Sequence, residues 1–209
     1  STDLSLKLGN HFTSGTFLAS ATRSPDGIET KDGLAGQVFY AYETKPIVLV
    51  TQAEHYDTDF QMDTAFVNQT GVTQGWAFIA PSFYPDPKKT PWLKRIVPFV
   101  FTRYGRDRVQ GGNGYFVLPG IRMHTTRQGF FRVDAGWGRE PWAGQIFPTS
   151  QVRLMGGAQP FRWLNVFAQA RFSRSIYYDP EEPYSGRERS YQAEVSFQPS
   201  SRFNQSVSW

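Results

Sequence analysis

Apolar and polar positions alternate with a period of two along most of this chain, most clearly from residue 164 to residue 198. Leu164, Val166, Ala168, Ala170 and Phe172 occupy the even positions, while Asn165, Phe167, Gln169, Arg171, Ser173 and Ser175 occupy the odd ones. After a polar stretch at 179–186, Tyr191, Ala193, Val195 and Phe197 fall on one face, and Ser190, Gln192, Glu194, Ser196 and Gln198 on the other. Alternation of this kind predicts strands. Each is about ten residues or longer, with one apolar wall and one wall of charges and amides, which suits a transmembrane β-barrel better than a soluble sandwich.

The same pattern extends to both ends. A first strand is expected through Leu4, Leu6, Leu8 and Phe12 with a turn at 13–15, then a strand at 16–23 that groups Phe17, Ala19 and Ala21. Leu34, Gly36, Val38, Tyr40 and Tyr42 form the next apolar face, and residues 47–56 a strand in which Ile47 and Leu49 compete with Val48 and Val50. Further strands are expected at 72–82, 96–104, 115–125, 131–137 and 152–158, before the two already described and a final one that places Phe203, Val207 and Trp209 together. Short turns then alternate with longer polar connections at 24–33, 57–71, 106–113, 139–149 and 178–186, as in up-and-down barrels. The expectation is all-β: an antiparallel up-and-down transmembrane barrel of about twelve strands. It fills one domain, 1–209, read as an excerpt of a larger barrel.

Composition narrows this picture. Without cysteine, neither disulfides nor thiolate metal sites enter the design. There is no apolar run of about 18 residues to make a transmembrane helix, and the first residues lack the basic and apolar regions of a signal peptide. The mean hydropathy of −0.47 does not count against a barrel, whose wet interior is averaged with its lipid face. The net charge of +4 is spread along the chain, which argues against a nucleic-acid partner.

Two stretches resemble a known family. Asp59, Phe60, Asp63, Phe66, Val67, Thr70 and Gly71 follow the order Asp-Phe, spacer, acidic-x-x-Phe-Val, then Thr-Gly, and residues 197–204, Phe-Gln-Pro-Ser-Ser-Arg-Phe-Asn, resemble a recurrent Pro-Thr/Ser-Ser-Arg-Leu-Asn turn. Both are similar to the large, poorly characterised outer-membrane barrels of Gram-negative bacteria that carry an N-terminal carbohydrate-binding module of the family-nine type. Asn68 stands where that family has Arg after Phe-Val. The resemblance implies a place in the cell outer membrane, a carbohydrate-binding module upstream of Ser1, further strands, and no catalytic residues to carry over.

Candidate chemistry is sparse. His11, His55 and His124 fall on different strands, without a second ligand at a recognised metal spacing. Asp57, Asp59 and Asp63, with Asn68 nearby, have the oxygen ligands that Ca²⁺ takes, but Met62 stands where an EF-hand needs Gly, so a solvated acidic loop is the better reading. With no nucleophile-elbow motif, an enzyme is not expected, nor a cofactor. The tryptophans, 76, 92, 137, 142, 163 and 209, fall mostly near expected strand ends, where indoles favour the headgroup level. Trp142, in an expected outer loop, is the candidate sugar-stacking contact.

The strand pattern assigns Lys7, Arg122, His124, Arg132, Asp134, Arg153, Gln169, Arg171, Glu188 and Glu194 to the lumen. It assigns Leu164, Val166, Ala168, Ala170, Phe172, Tyr191, Val195 and Phe197 to lipid. The inward charges are mixed in sign, so no one-signed ring is expected. The function expected is passive passage or surface handling of a solute, glycan-related by resemblance, with outer-membrane lipid as partner. Two alternatives stand beside it: a closed scaffolding barrel whose outer loops dock a membrane or surface protein, and a soluble all-β carbohydrate-binding protein.

Overall fold

Each residue of an extended chain sends its side chain to the face opposite its neighbour's, so a sequence alternating over ten or more residues gains most by pairing with others like it. The structure, a computed structural model, describes residues 2–23, 30–61, 69–179, 181–200 and 203–209. Its strands are β1 (Thr2–Leu8), β2 (His11–Arg23), β3 (Thr30–Glu43), β4 (Ile47–Tyr56), β5 (Val72–Pro81) and β6 (Leu93–Asp107). They continue as β7 (Gly112–Thr125), β8 (Phe130–Trp142), β9 (Gln145–Phe161), β10 (Leu164–Tyr177), β11 (Tyr184–Ser200) and β12 (Phe203–Ser208). All twelve lie in one sheet in chain order, each antiparallel to its neighbours. Among the described residues β1 pairs only with β2 and β12 only with β11, so the sheet has two free edges.

Register fixes the faces, because directly paired residues share a side. Leu164 pairs with Phe197, Val166 with Val195 and Ala170 with Tyr191, and Phe172 packs edge-on against Tyr191 at 5.8 Å. The expected lipid-facing set of β10 and β11 thus lies on one face, continuous with Leu154 and Val152 of β9 and, across the sheet, with Val38 and Leu34 of β3. This face is apolar yet open: Leu6 is 59% exposed, Leu34 61%, Trp137 51% and Val195 44%.

The opposite face carries most of the charges and amides, apart from arginines such as Arg139, Arg174, Arg187 and Arg189 whose register puts them on the apolar side, and also nearly all the buried apolar side chains, including Ala35, Val72, Phe99, Leu118 and Phe147. The sheet curls toward it. Phe101 of β6 and Arg171 of β10 line one cavity of about 270 Å³, although four strand spacings in a flat sheet would separate them by roughly 19 Å. Gly120 permits a close approach on this face, since a Cβ there would stand 2.3 Å from the Phe99 ring. Val48, Val50, Gln52 and Glu54 of β4 also lie on it, which settles the competing faces of that strand.

Several expected boundaries move. The first turn is at Gly9 and Asn10, not 13–15, and Gly9 has φ 58°. A two-residue turn reverses the parity, so Phe12 leaves the face of Leu4, Leu6 and Leu8 and packs beside Phe39 on the polar side. Residues 139–149 are not an outer loop but the end of the β8–β9 hairpin, turning at Ala143 and Gly144 with φ 48° and 73°. Pro141 and Pro148 fit there because the hairpin projects past its neighbours: β7 stops pairing at Arg139 and β10 at Ser150. Edge positions need no N–H for a further ladder. Similarly, 106–113 contracts to a turn at 108–111, and β9 runs past the expected strand end at Ala158 as far as Phe161.

The connection after β4 turns inward. Phe60 is 3% exposed and sits over Gly33, and the Gln61 N–H donates to Ser20 Oγ at 3.0 Å, so residues 57–61 cover the polar face of β2 and β3. Asp63, Asn68 and the middle of the first family-like motif lie outside the described residues, as do 24–29 of the loop at 24–33, Pro180, and Ser201 and Arg202 of the second motif.

Candidate polar groove and its arginine row

At the rim formed by the β6–β7, β8–β9 and β10–β11 connections, the projecting hairpin places Glu140 and Trp142 on the polar face. Its turn is held from below, with the Ala143 N–H donating to Gln110 Oε1 at 2.8 Å. Trp142 therefore ends a strand rather than sitting in a loop. Its Nε1 donates to the Asp179 carbonyl at 3.3 Å, and Tyr178 lies edge-on to it at 5.0 Å. The Tyr178 hydroxyl donates to Glu140 Oε1 at 2.9 Å. Burial, then that carboxylate, push its pKa up to about 12. Asp179 accepts the N–H groups of Glu181 and Glu182, which hold its carboxyl below the usual range.

Beside Trp142 opens a cleft of about 390 Å³ lined by Gln69, Gln74, Arg103, Asp107, Gln110 and Glu140. Amides that both donate and accept, two carboxylates, a guanidinium and an aromatic ring are the groups that bind hydroxyl-rich molecules. Arg103 and Glu140, 3.9 Å apart, also line the 270 Å³ cavity below, which reaches Arg171. A third hollow, about 80 Å³, lies near the opposite rim among Phe78, Phe99, Arg95, Arg122, His124 and Arg132.

Lys7, Arg122, His124, Arg132, Asp134, Arg153, Gln169, Arg171, Glu188 and Glu194 all lie on this polar face, but the signs separate. Arg95 pairs with His124, Arg122 with Arg132, Asp134 with Arg153, and Arg153 with Arg171, giving a row across β6 to β10. Lys7 is distant on β1. Glu188 and Glu194 are on β11, where they accept from Ser173 and Ser196 rather than from arginine. The mixture read along the sequence is thus, in space, a row of arginines with a single acid among them.

Asp134 is the row's single acid and has a fully buried side chain. Its Oδ2 accepts from Arg132 Nε at 2.6 Å and from Arg153 Nη2 at 3.0 Å. The Arg132 guanidinium also stacks 4.5 Å over the Phe99 ring. Arg95, Arg103, Glu140 and the three glutamines were not singled out by sequence. Arg95 falls just before the expected start of its strand, and extending the alternation backwards from Val97 is the signal that finds it.

The histidines do other work. His11 Nδ1 lies 2.9 Å from the Tyr40 hydroxyl. His55 bridges Thr73 Oγ1 at 2.6 Å and Asp57 Oδ1 at 3.0 Å, and Asp57 Oδ2 accepts the Leu34 N–H at 3.0 Å. The backbone bond first, then His55, lower the Asp57 pKa. Asp57 thus anchors the inward turn by its own hydrogen bonds. No protein-family model matches this chain, and neither does a curated protein or a solved structure.

Proposed function

We propose that this chain forms part of the wall of a β-barrel in the outer membrane of a Gram-negative cell, where it passively handles a hydroxyl-rich, glycan-related solute. The observation that carries the reading is the division of the sheet into an exposed apolar face and a polar face lined by neighbouring clefts. A contiguous apolar surface of this extent marks contact with lipid or with another apolar body. Exposed Tyr104 and Tyr115 at one end of the apolar band, and Trp163 stacked on Phe161 at the other, suit the two headgroup levels. The solute class rests on the Trp142 cleft and on the family resemblance in residues 59–71 and 197–204.

The test is a cysteine scan from Leu164 to Ser175 in the full-length protein in native membranes, probed with a membrane-impermeant thiol reagent. Labelling confined to Asn165, Phe167, Gln169, Arg171, Ser173 and Ser175 is expected. Uniform labelling of both faces would sink the membrane reading in favour of a soluble β-protein. Conductance across a planar bilayer then separates passage from a closed scaffold.

A further inference from the structure

We infer that the arginine row across β6 to β10 binds oxyanions, the carboxylate or phosphate groups of a solute that enters past the Trp142 cleft. The inference rests on the polar face being the solute path. Its physical ground is an imbalance that the protein itself leaves in place. Arg122 stands directly opposite Arg132, and Arg153 directly opposite Arg171. Like charges at paired positions destabilise a sheet, yet here two such pairs occur on neighbouring strands.

Asp134 neutralises part of this, through Arg132 and Arg153. Arg122 and Arg171, one at each side of that triad, are in no ion pair among the described residues, and the Nε of each is buried without an acceptor there. Buried donors of this kind are satisfied by water or by a ligand. A guanidinium presents a planar fork that matches carboxylate and phosphate oxygens two at a time, and several forks in series make a track rather than a single trap. Arg103, which is paired with Glu140 at 3.9 Å, lines both the rim cleft and the cavity that reaches Arg171 and so connects the opening to the row.

Arg122 and Arg171 are the residues to change, because Arg132 and Arg153 hold Asp134. The full-length protein in detergent is titrated calorimetrically with glucuronate, inorganic phosphate and glucose at low salt. Binding of glucuronate, phosphate or both in preference to glucose is expected, weakened about tenfold in Arg122→Gln and in Arg171→Gln, as for loss of a charge-assisted hydrogen bond. Arg122→Lys, which keeps the charge but not the fork, should retain part of the affinity. Glucuronate alone would identify a carboxylate-bearing solute, and phosphate alone a phosphorylated one. Glucose binding as well as either anion, or affinities unchanged in both Gln variants, overturns the inference even if the protein conducts. An intact anion titration in a protein that conducts nothing would remove passage from the proposed function and leave the arginine row standing.

Discussion

Asp134 shows what one side chain does in a sheet that, without cysteine, has no disulfide to hold it. Its carboxylate is the single counter-charge between Arg132 and Arg153, and its side chain is wholly buried. Removing one partner of a buried ion pair leaves the other charge uncompensated, at a cost of roughly 3–5 kcal/mol. Asp134→Asn should therefore lower the urea midpoint of the full-length protein by that amount of free energy, followed by tryptophan fluorescence. Arg122→Gln, which relieves repulsion and breaks no described ion pair, should leave the midpoint unchanged or raise it. Tyr178 gives a second residue-scale prediction. Its folded pKa of about 12 lies above the unfolded value, so its contribution is complete below pH 10 and is lost as pH rises toward 12. Ultraviolet titration should show late-ionising tyrosine absorbance, part of which Glu140→Gln should bring earlier.

Among elements, the turns decide what the strands present. The alternation in β10 and β11 was legible because a clear polar stretch separates them and no proline stands between Leu164 and Tyr177 or between Tyr184 and Gln198. The β1–β2 turn was not legible, since Phe12 stands at an even position like Leu4, Leu6 and Leu8, and only the two-residue turn at Gly9 and Asn10 reverses its face. The β8–β9 hairpin was hidden by Pro141, Gly144 and Pro148, which break a strand inside a sheet but not in a hairpin that outruns its neighbours. Hence Trp142 was recognised as a candidate contact, while Glu140 and Gln110, which complete its cleft, were not. The inward turn at 57–61 was also invisible, because it depends on contacts with β2 and β3. A Cβ at Gly33 would come within 2.3 Å of the Phe60 backbone, which cannot yield as a side-chain tip does. Gly33→Val should expel this segment and leave the sheet paired. A cysteine placed at residue 60 should then react with a soluble thiol reagent in the variant and resist it in the parent.

At the scale of the molecule, the two faces ask for different solvents. Leu154 lies on the apolar face and Arg153 beside it on the polar one, so adjacent positions should respond oppositely to charge. In the full-length protein refolded into lipid vesicles, Leu154→Arg should cost on the order of 2–4 kcal/mol, the range for a cation at mid-bilayer on a barrel exterior. Gln151→Arg, across the same strand, should change little, and equal effects would count against lipid contact. Twelve antiparallel strands and most of the division of faces followed from periodicity, but the facing of β4 and of Phe12 did not. The arginine row did not, because it is assembled from strands whose relative register no single stretch of sequence contains.

The meander order, in which every strand pairs with its neighbour in the chain, carries a consequence of another kind. Among the described residues no strand pairing skips a neighbour in the chain, so the sheet can be zipped together hairpin by hairpin. Such a sheet is also divisible. A hairpin gained or lost ahead of β6 would leave the alignment of Arg95, Arg122, Arg132, Arg153 and Arg171 intact, whereas one inserted between β6 and β10 would split it. The row is a word spelled across five consecutive lines, and the order of those lines is the part of the design least free to be edited.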